Sequence, residues 1–230
     1  MTRILAIETS TNACSAALWA DGGVAARRFE PMVRGHAERL MPMVAEVMAE
    51  AAAEARDLDL VAVTVGPGAF TGIRVGLAAA RGLALAAGVP CLGATTMETM
   101  AWAADPRRLL LVALDSKRDD LYVQVFGADR APLAEPAAVA PADLGPMIER
   151  ICPADAEIGL AGDAAARARD LLAPLGRTCR TTDAALPDAA DLAALAAARW
   201  RPGDRPPAPA PLYLRPPDAV VPTNGGRLRP

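Results

Sequence analysis

The chain is expected to fold as an α/β protein made of a duplicated unit arranged in two lobes. Three observations lead there. Short apolar runs of strand length alternate with segments of helical period. A glycine-rich loop joins a strand to a helix at Val61–Gly76 (VAVTVGPGAFTGIRVG). A pattern in the first half recurs at an offset of 107 residues, which sets Asp115 over Glu8 and Leu121–Phe126 over Cys14–Trp19, with Leu111–Asp115 matching Leu5–Glu8 in character. Both first runs end in an acidic residue followed by a hydroxyl residue, and both second runs end in an aromatic. Such self-similarity is the signature of an internal repeat.

In order along the chain, Ile4–Glu8 reads as a strand ending in Glu8-Thr9-Ser10-Thr11. Cys14–Trp19 and Val24–Phe29 form a hairpin about the Asp21-Gly22-Gly23 turn. A helix spans about His36 to Glu54, with Leu40, Val44, Val47, Met48 and Ala51 at helical spacing. Val61–Val65 is a strand, Thr71–Ala87 a helix stopped by Gly88-Val89-Pro90, and Cys91–Gly93 a short strand. After the second hairpin, Leu111–Phe126, a strand-turn-helix start lies at Glu157–Ala168 and a last helix at Asp191–Trp200. This divides the chain into an N-terminal lobe, 1–106, which carries the partner-binding helices, and a C-terminal lobe, 107–215. Helix 190–200 is expected to pack back on the first lobe, and the polar tail, 216–230, to be disordered.

Composition narrows the function. The chain has 230 residues and a net charge of −3, which argues against autonomous nucleic-acid binding. Lys117 is the sole lysine among 24 basic residues, a coding bias rather than chemistry. Cys14, Cys91, Cys152 and Cys179 are far apart, as reduced cysteines of a cytoplasmic protein would be, and give no zinc or disulfide frame. No signal segment or membrane-length apolar run is expected.

The glycine block fits neither common phosphate loop. Gly72-Ile73-Arg74 stands where a Walker loop needs Gly-Lys-Ser/Thr, and Thr71 where the dinucleotide fingerprint needs glycine. His36 is the only histidine, so neither a two-histidine metal site nor Ser/Cys–His proteolysis is supported. It reads as a helix-start or interface residue. Glu8, Thr9, Ser10, Gly66, Gly68, Thr71, Gly72 and Asp115 form a candidate nucleotide or phosphate site, vestigial in character. In one reading Glu8 and Asp115 face each other and share a hydrated Mg²⁺; in the other they only end two strands and accept backbone N–H groups. The 71–87 helix carries two charges, Arg74 and Arg81, on one face, and its Gly72, Gly76 and Ala80 make a small-residue stripe. A helix so apolar on nearly every side is either buried or covered by another chain. His36, Leu40, Met43, Val47, Gly72, Arg74, Gly76, Ala80 and Arg81 are therefore expected at a helix-to-helix partner interface. Arg74 and Arg81 remain open to two roles, neutralising the phosphates of a nucleic acid or nucleotide, or bonding carbonyls and partner carboxylates.

A duplicated three-stranded unit with an acidic residue after its first strand suggests the actin-like, sugar-kinase-like ATPase fold (ASKHA, ribonuclease H-like), with two lobes. Ile4–Thr11 (ILAIETST), Cys14–Trp19, Arg34–Pro42 (RGHAERLMP), Gly66–Gly76, Gly82–Leu85 and Pro211–Arg215 (PLYLR) together resemble the TsaB (YeaZ) family over nearly the full length. The resemblance implies a non-catalytic relative of TsaD, needed for threonylcarbamoyladenosine in tRNAs that read ANN codons. It implies a TsaD-type catalytic subunit and a TsaE-type ATPase as partners, tRNA contacted indirectly through the complex, and a homodimer when alone, with no membrane. The family was earlier grouped with glycoproteases, but a His-x-x-x-His metal pair like that of TsaD is missing here, since Leu40 follows His36 at the needed spacing. The expected activity is thus none of its own, with no catalytic residue, metal or cofactor, and with ATP or ADP and magnesium held only at the assembled complex interface. The competing expectation is an independent Mg-ATP-dependent kinase or ATPase of the same fold.

Overall fold

The computed structural model of the protein describes residues 2–104 and 108–215. The first half runs β1 (Ile4–Glu8), β2 (Ala13–Ala20), β3 (Gly23–Pro31), α1 (His36–Glu50), β4 (Leu60–Thr64), α2 (Phe70–Ala87), β5 (Cys91–Ala94) and α3 (Thr96–Ala103). The second half repeats that order as β6 (Leu109–Asp115), β7 (Leu121–Phe126), β8 (Ala137–Val139), α4 (Pro141–Ile151), β9 (Ile158–Ala161), α5 (Ala165–Leu172), β10 (Cys179–Thr181) and α6 (Ala189–Arg199). Each half builds a five-stranded sheet of one topology, β3-β2-β1-β4-β5 and β8-β7-β6-β9-β10. In both, the hairpin partner is antiparallel to the first strand and the later strands are parallel to it. The repeat expected from the 107-residue offset is the organising fact of the fold.

Four elements go beyond the sequence expectation. Helix α3 opens with a Thr95–Glu98 capping box, in which the Thr95 hydroxyl accepts the Glu98 N–H at 3.0 Å and the Glu98 carboxylate accepts the Thr95 N–H at 2.8 Å. Helix α4 carries Pro141, Gly145 and Pro146, which hide its periodicity. Strands β8 and β10 have three residues each.

Strands β1 and β4 are buried along their whole length, so both sheet faces need cover. On one face Leu5, Ile7, Val61 and Val63 pack under α1 and α2. On the other, Ile4, Ala6, Leu60 and Ala62 pack under Leu192, Ala193, Leu195 and Ala196 of α6, which belongs to the second repeat. The exchange is reciprocal: Met97, Met100 and Ala101 of α3 lie against Leu110, Val112, Leu114 and Phe126 of the second sheet. The two exchanged helices also touch each other. Each lobe thus completes its core with a helix of the other, which ties the lobes across their junction. At that junction Asp188 caps α6, accepting the Ala190 N–H at 2.9 Å, and pairs with Arg27 of β3.

One expectation is corrected. Helix α2 is long and apolar enough, at a mean hydropathy of 1.3, to meet the composition of a membrane span. In this fold one side of it is seated on the first sheet and the opposite side carries Arg74 and Arg81. The tail from 216 onward lies outside the described residues.

Candidate functional site: the interlobe cleft and the glycine loop

The turn after β1 and the glycine loop after β4 meet back to back. A Cβ at Gly68 would overlap the carbonyl oxygen of Ser10, and one at Gly72 that of Thr9, so only glycine permits this approach. The contact is sealed by hydrogen bonds. The Ala69 N–H donates to the Ser10 carbonyl at 2.7 Å, and the Thr9 hydroxyl donates to the Gly72 carbonyl at 2.7 Å. Gly66 leads into the loop, and Thr71 is exposed at the start of α2. The second lobe repeats the device, with Gly162 against the Ala113 carbonyl and the Ala164 N–H donating to it at 3.2 Å.

Glu8 lies under this turn, wholly buried. Its carboxylate accepts the Ser10 N–H and the Ser10 hydroxyl, both at 2.6 Å, and the Thr64 hydroxyl at 2.6 Å. The Ser10 hydroxyl oxygen also lies 2.8 Å from that of Thr96, at the start of α3. Burial pushes the Glu8 carboxyl up to about 7; the Ser10 and Thr64 hydrogen bonds pull the other way, and the charge of Asp188 adds to the rise.

Asp115 stands on the far side. Its backbone N–H donates to Asp163 at 2.8 Å, and its carboxylate takes the Lys117 N–H at 2.8 Å and the Lys117 ammonium at 3.0 Å. Burial opposes its ionisation, yet the bonds and charge of Lys117 outweigh it and hold the carboxyl below the usual range. Burial raises Asp163, against the backbone N–H of Asp115 and the charge of Lys117. Between the lobes Ser10, Thr11, Asn12, Gly68, Asp115, Ser116, Lys117 and Asp163 line a cavity of about 40 Å³.

The structure therefore brings Ser10, Gly68 and Asp115 to one cleft, while Glu8 is withdrawn from it. Of the two readings of Glu8 and Asp115, the pairing across the cleft does not form, because the Glu8 oxygens are occupied from within its own lobe; each carboxylate instead accepts a backbone N–H of the turn after its strand, that of Ser10 for Glu8 and that of Lys117 for Asp115. The groups that a phosphate would need are already engaged: the Ser10 amide and hydroxyl by the Glu8 carboxylate, the Thr9 hydroxyl by the Gly72 carbonyl, and the Ala69 amide by the Ser10 carbonyl. A cavity of about 40 Å³ is also far below the roughly 300 Å³ or more of a typical ligand pocket. The residues present do not fit magnesium and a nucleoside triphosphate. Among the described residues no group of three or more His, Cys, Asp or Glu is placed to hold a metal.

The expected interface is corrected at six of its nine positions. Leu40, Met43, Val47, Gly72, Gly76 and Ala80 are buried inside the chain's own first lobe. The apolar stripes of α1 and α2 face their own sheet, and Gly72 and Gly76 bring α2 close to Thr9. His36, half-buried, has its Nε2 3.1 Å from the Thr11 carbonyl, tying the start of α1 to the turn. Arg74 and Arg81 stay on the outer side but are held by the C-terminal segment: Arg74 Nε donates to the Tyr213 hydroxyl at 2.9 Å, and Arg81 donates to the Pro209 carbonyl. The outward side of these helices carries Met41, 45% exposed, together with Leu85, 85%, and Phe70, 49%, the two that sequence reasoning missed. Its signal was present, since Leu85 falls off the stripe made by Ile73, Leu77, Ala80 and Ala84.

Comparison with known proteins supplies the kinship. The TsaD family, described as tRNA N6-adenosine threonylcarbamoyltransferase, matches residues 19–198. Over 130 residues the chain is 41% identical to the tRNA threonylcarbamoyladenosine biosynthesis protein TsaB of Escherichia coli, covering 55% of this chain and 56% of that protein. It thus spans about half the length of that relative. It is also 35% identical to the uncharacterized protein Rv3421c of Mycobacterium tuberculosis over 218 residues, covering 94% of this chain and 93% of that protein. The solved structure of YeaZ from Pseudomonas aeruginosa superposes with a TM-score of 0.76 at 29% identity, covering 93% of this chain and 100% of that one. A ROK hexokinase from Thermus thermophilus shares the fold alone, at a TM-score of 0.51 and 13% identity over 86% of this chain and 98% of its own. Two copies of one sheet topology and these relatives agree: the chain belongs to the TsaD family and, within it, to the TsaB (YeaZ) proteins.

Proposed function

We propose that the chain is a non-catalytic subunit in the formation of threonylcarbamoyladenosine in ANN-decoding tRNAs, where it binds and activates a TsaD-type threonylcarbamoyltransferase. The observation that carries this reading is the inward turn of Glu8. Its carboxylate is saturated by Ser10 and Thr64, so the one acidic group ending the first strand is withdrawn from the cleft where an actin-like ATPase would use it. What the first lobe offers instead is the outward side of α1 and α2, with Leu85, Phe70 and Met41 exposed. A bare leucine on a helix of this length is the sort of apolar knob that a partner helix covers.

In this reading the partner is the TsaD-type subunit, joined by a TsaE-type ATPase, and the chain forms a homodimer through the same face when alone. It meets tRNA through the complex, works in the cytoplasm, and holds no cofactor itself; ATP or ADP with magnesium is held only at the subunit junction. The names of the TsaB relatives support the process, and the degenerate cleft supports the accessory role.

Co-expression with the TsaD-type subunit of the same organism tests it. The two chains are expected to co-purify, and threonylcarbamoyl transfer to tRNA is expected from the mixture but not from this chain alone. Leu85→Asp sets a charge in the docking face while leaving the core intact. It is expected to weaken co-elution at least about tenfold with an unchanged melting temperature. Transfer by the isolated chain, or micromolar binding of Mg-ATP to it in calorimetry, would overturn the proposal.

A further inference from the structure

After α6 the chain does not stay with the second lobe. Between Pro209 and Arg215 it crosses the first lobe and is gripped at four places. The Arg81 guanidinium donates to the Pro209 carbonyl. The Leu212 N–H donates to the Val65 carbonyl at 2.7 Å, and the Leu212 carbonyl is seated against Gly66, at the root of the glycine loop. The Tyr213 hydroxyl accepts from Arg74 at 2.9 Å, while its ring stacks on Phe70 at 5.3 Å between centroids and the Arg74 guanidinium lies 3.7 Å over the Phe70 ring. At the far end Arg215 pairs with Asp120 of the second lobe. Asp120 in turn takes the Ser116 hydroxyl, on its carbonyl at 2.7 Å and its carboxylate at 2.5 Å, and Ser116 lines the interlobe cleft.

Seven residues therefore join the outer side of α2, the glycine loop and the lip of the cleft on the opposite lobe. Prolines at 209 and 211 restrict the backbone of this segment, so it has little slack between its anchors. We propose that Pro209–Arg215 is a clasp: it couples the outer face of α2 to the cleft lip at 116–120 and holds the cleft narrow. An anchor lost at either end is felt at both, because a short restrained strap transmits displacement rather than absorbing it. The clasp follows from the fold alone and stands whether or not the proposed partner binds.

Amide hydrogen exchange on the full chain tests it. Tyr213→Ala removes the α2 anchor and Arg215→Ala the lip anchor; both side chains lie partly at the surface, so the cores are kept. Each variant is expected to raise exchange about tenfold at Ala69, in the glycine loop, and at Lys117 and Arg118, in the lip. The double variant is expected to do no more than the larger single one, and Arg215→Lys, which keeps the cation, to stay near the parent. Exchange raised only beside each substituted residue, with additive effects in the double variant, would show two independent surface contacts and overturn the clasp.

Discussion

Replacing Gly72 by valine is expected to cost about 3 kcal/mol or more of folding stability. At roughly 2–4 °C per kcal/mol for a chain of this size, melting should fall by about 10 °C. The reason is local. A side chain at 72 meets the Thr9 carbonyl, and the carbonyl of 72 is itself the acceptor of the Thr9 hydroxyl. Relief would require α2 to lift off the turn that carries Ser10, and the bond from Ala69 to Ser10 would go with it. Gly82 supplies the contrast. It sits on the exposed side of the same helix with open space where a Cβ would be. Gly82→Ala is expected to stabilise by up to about 1 kcal/mol, as a helix-interior glycine replaced by alanine usually does. Denaturant melts of the two variants against the parent decide it; a Gly72→Val protein as stable as the parent would mean that the turn and the helix are not in contact.

The second large effect is a dependence on pH. Glu8 titrates near 7 in the folded chain and at 4.5 as an unperturbed carboxyl. The folded state thus favours the protonated form, so the contribution of Glu8 to stability is full below about 4.5. It declines as pH rises to about 7 and is flat above that. The span corresponds to about 3 kcal/mol, an order-of-magnitude figure for a group with no exposure. Asp191, raised to about 6 by burial and by Asp188, adds to the slope with the same sign. The quantity to read is therefore the difference between the parent and Glu8→Gln. The glutamine keeps an acceptor for Ser10 and carries no charge, so the two proteins should be similar in stability near pH 4, below the unperturbed value of 4.5. By pH 8 the parent should lag by up to about 3 kcal/mol. Parallel stability curves for the two across that interval would contradict the buried, withdrawn carboxylate on which the proposed function rests.

Much of this architecture was legible before any coordinates. Strand β1, the hairpin, the glycine loop and α2 announce themselves through local spacing, because period, turn residues and glycine clusters act within a few residues of one another. The offset that sets Asp115 over Glu8 carried the two-lobed fold, since a repeated sequence unit folds to a repeated sheet. Helix α4 escaped because Pro141, Gly145 and Pro146 mask its apolar face. Helix α3 escaped although the Thr95–Glu98 capping box marks its start. At the site, the right residues were singled out with part of the wrong geometry. Glu8 and Asp115 are equivalent in the repeat, yet one is buried under Ser10 and Thr64 and the other is held at the cleft by Lys117. No spacing rule distinguishes a carboxylate that turns inward from one that turns out.

By itself, then, the order of residues determined most of the elements, their duplication and the kinship with TsaB, because these depend on patterns within a short stretch or on similarity along the chain. Three matters were decided only in three dimensions: that α3 changes lobes, as α6 was expected to do, that Leu40, Met43, Val47 and the Gly72–Gly76–Ala80 stripe face inward, and that Pro209–Arg215 lands on α2 and Asp120. Each is a choice between surfaces of similar polarity that lie far apart in sequence. Periodicity says that an apolar stripe must be covered; which surface covers it is settled by the packing of the whole chain.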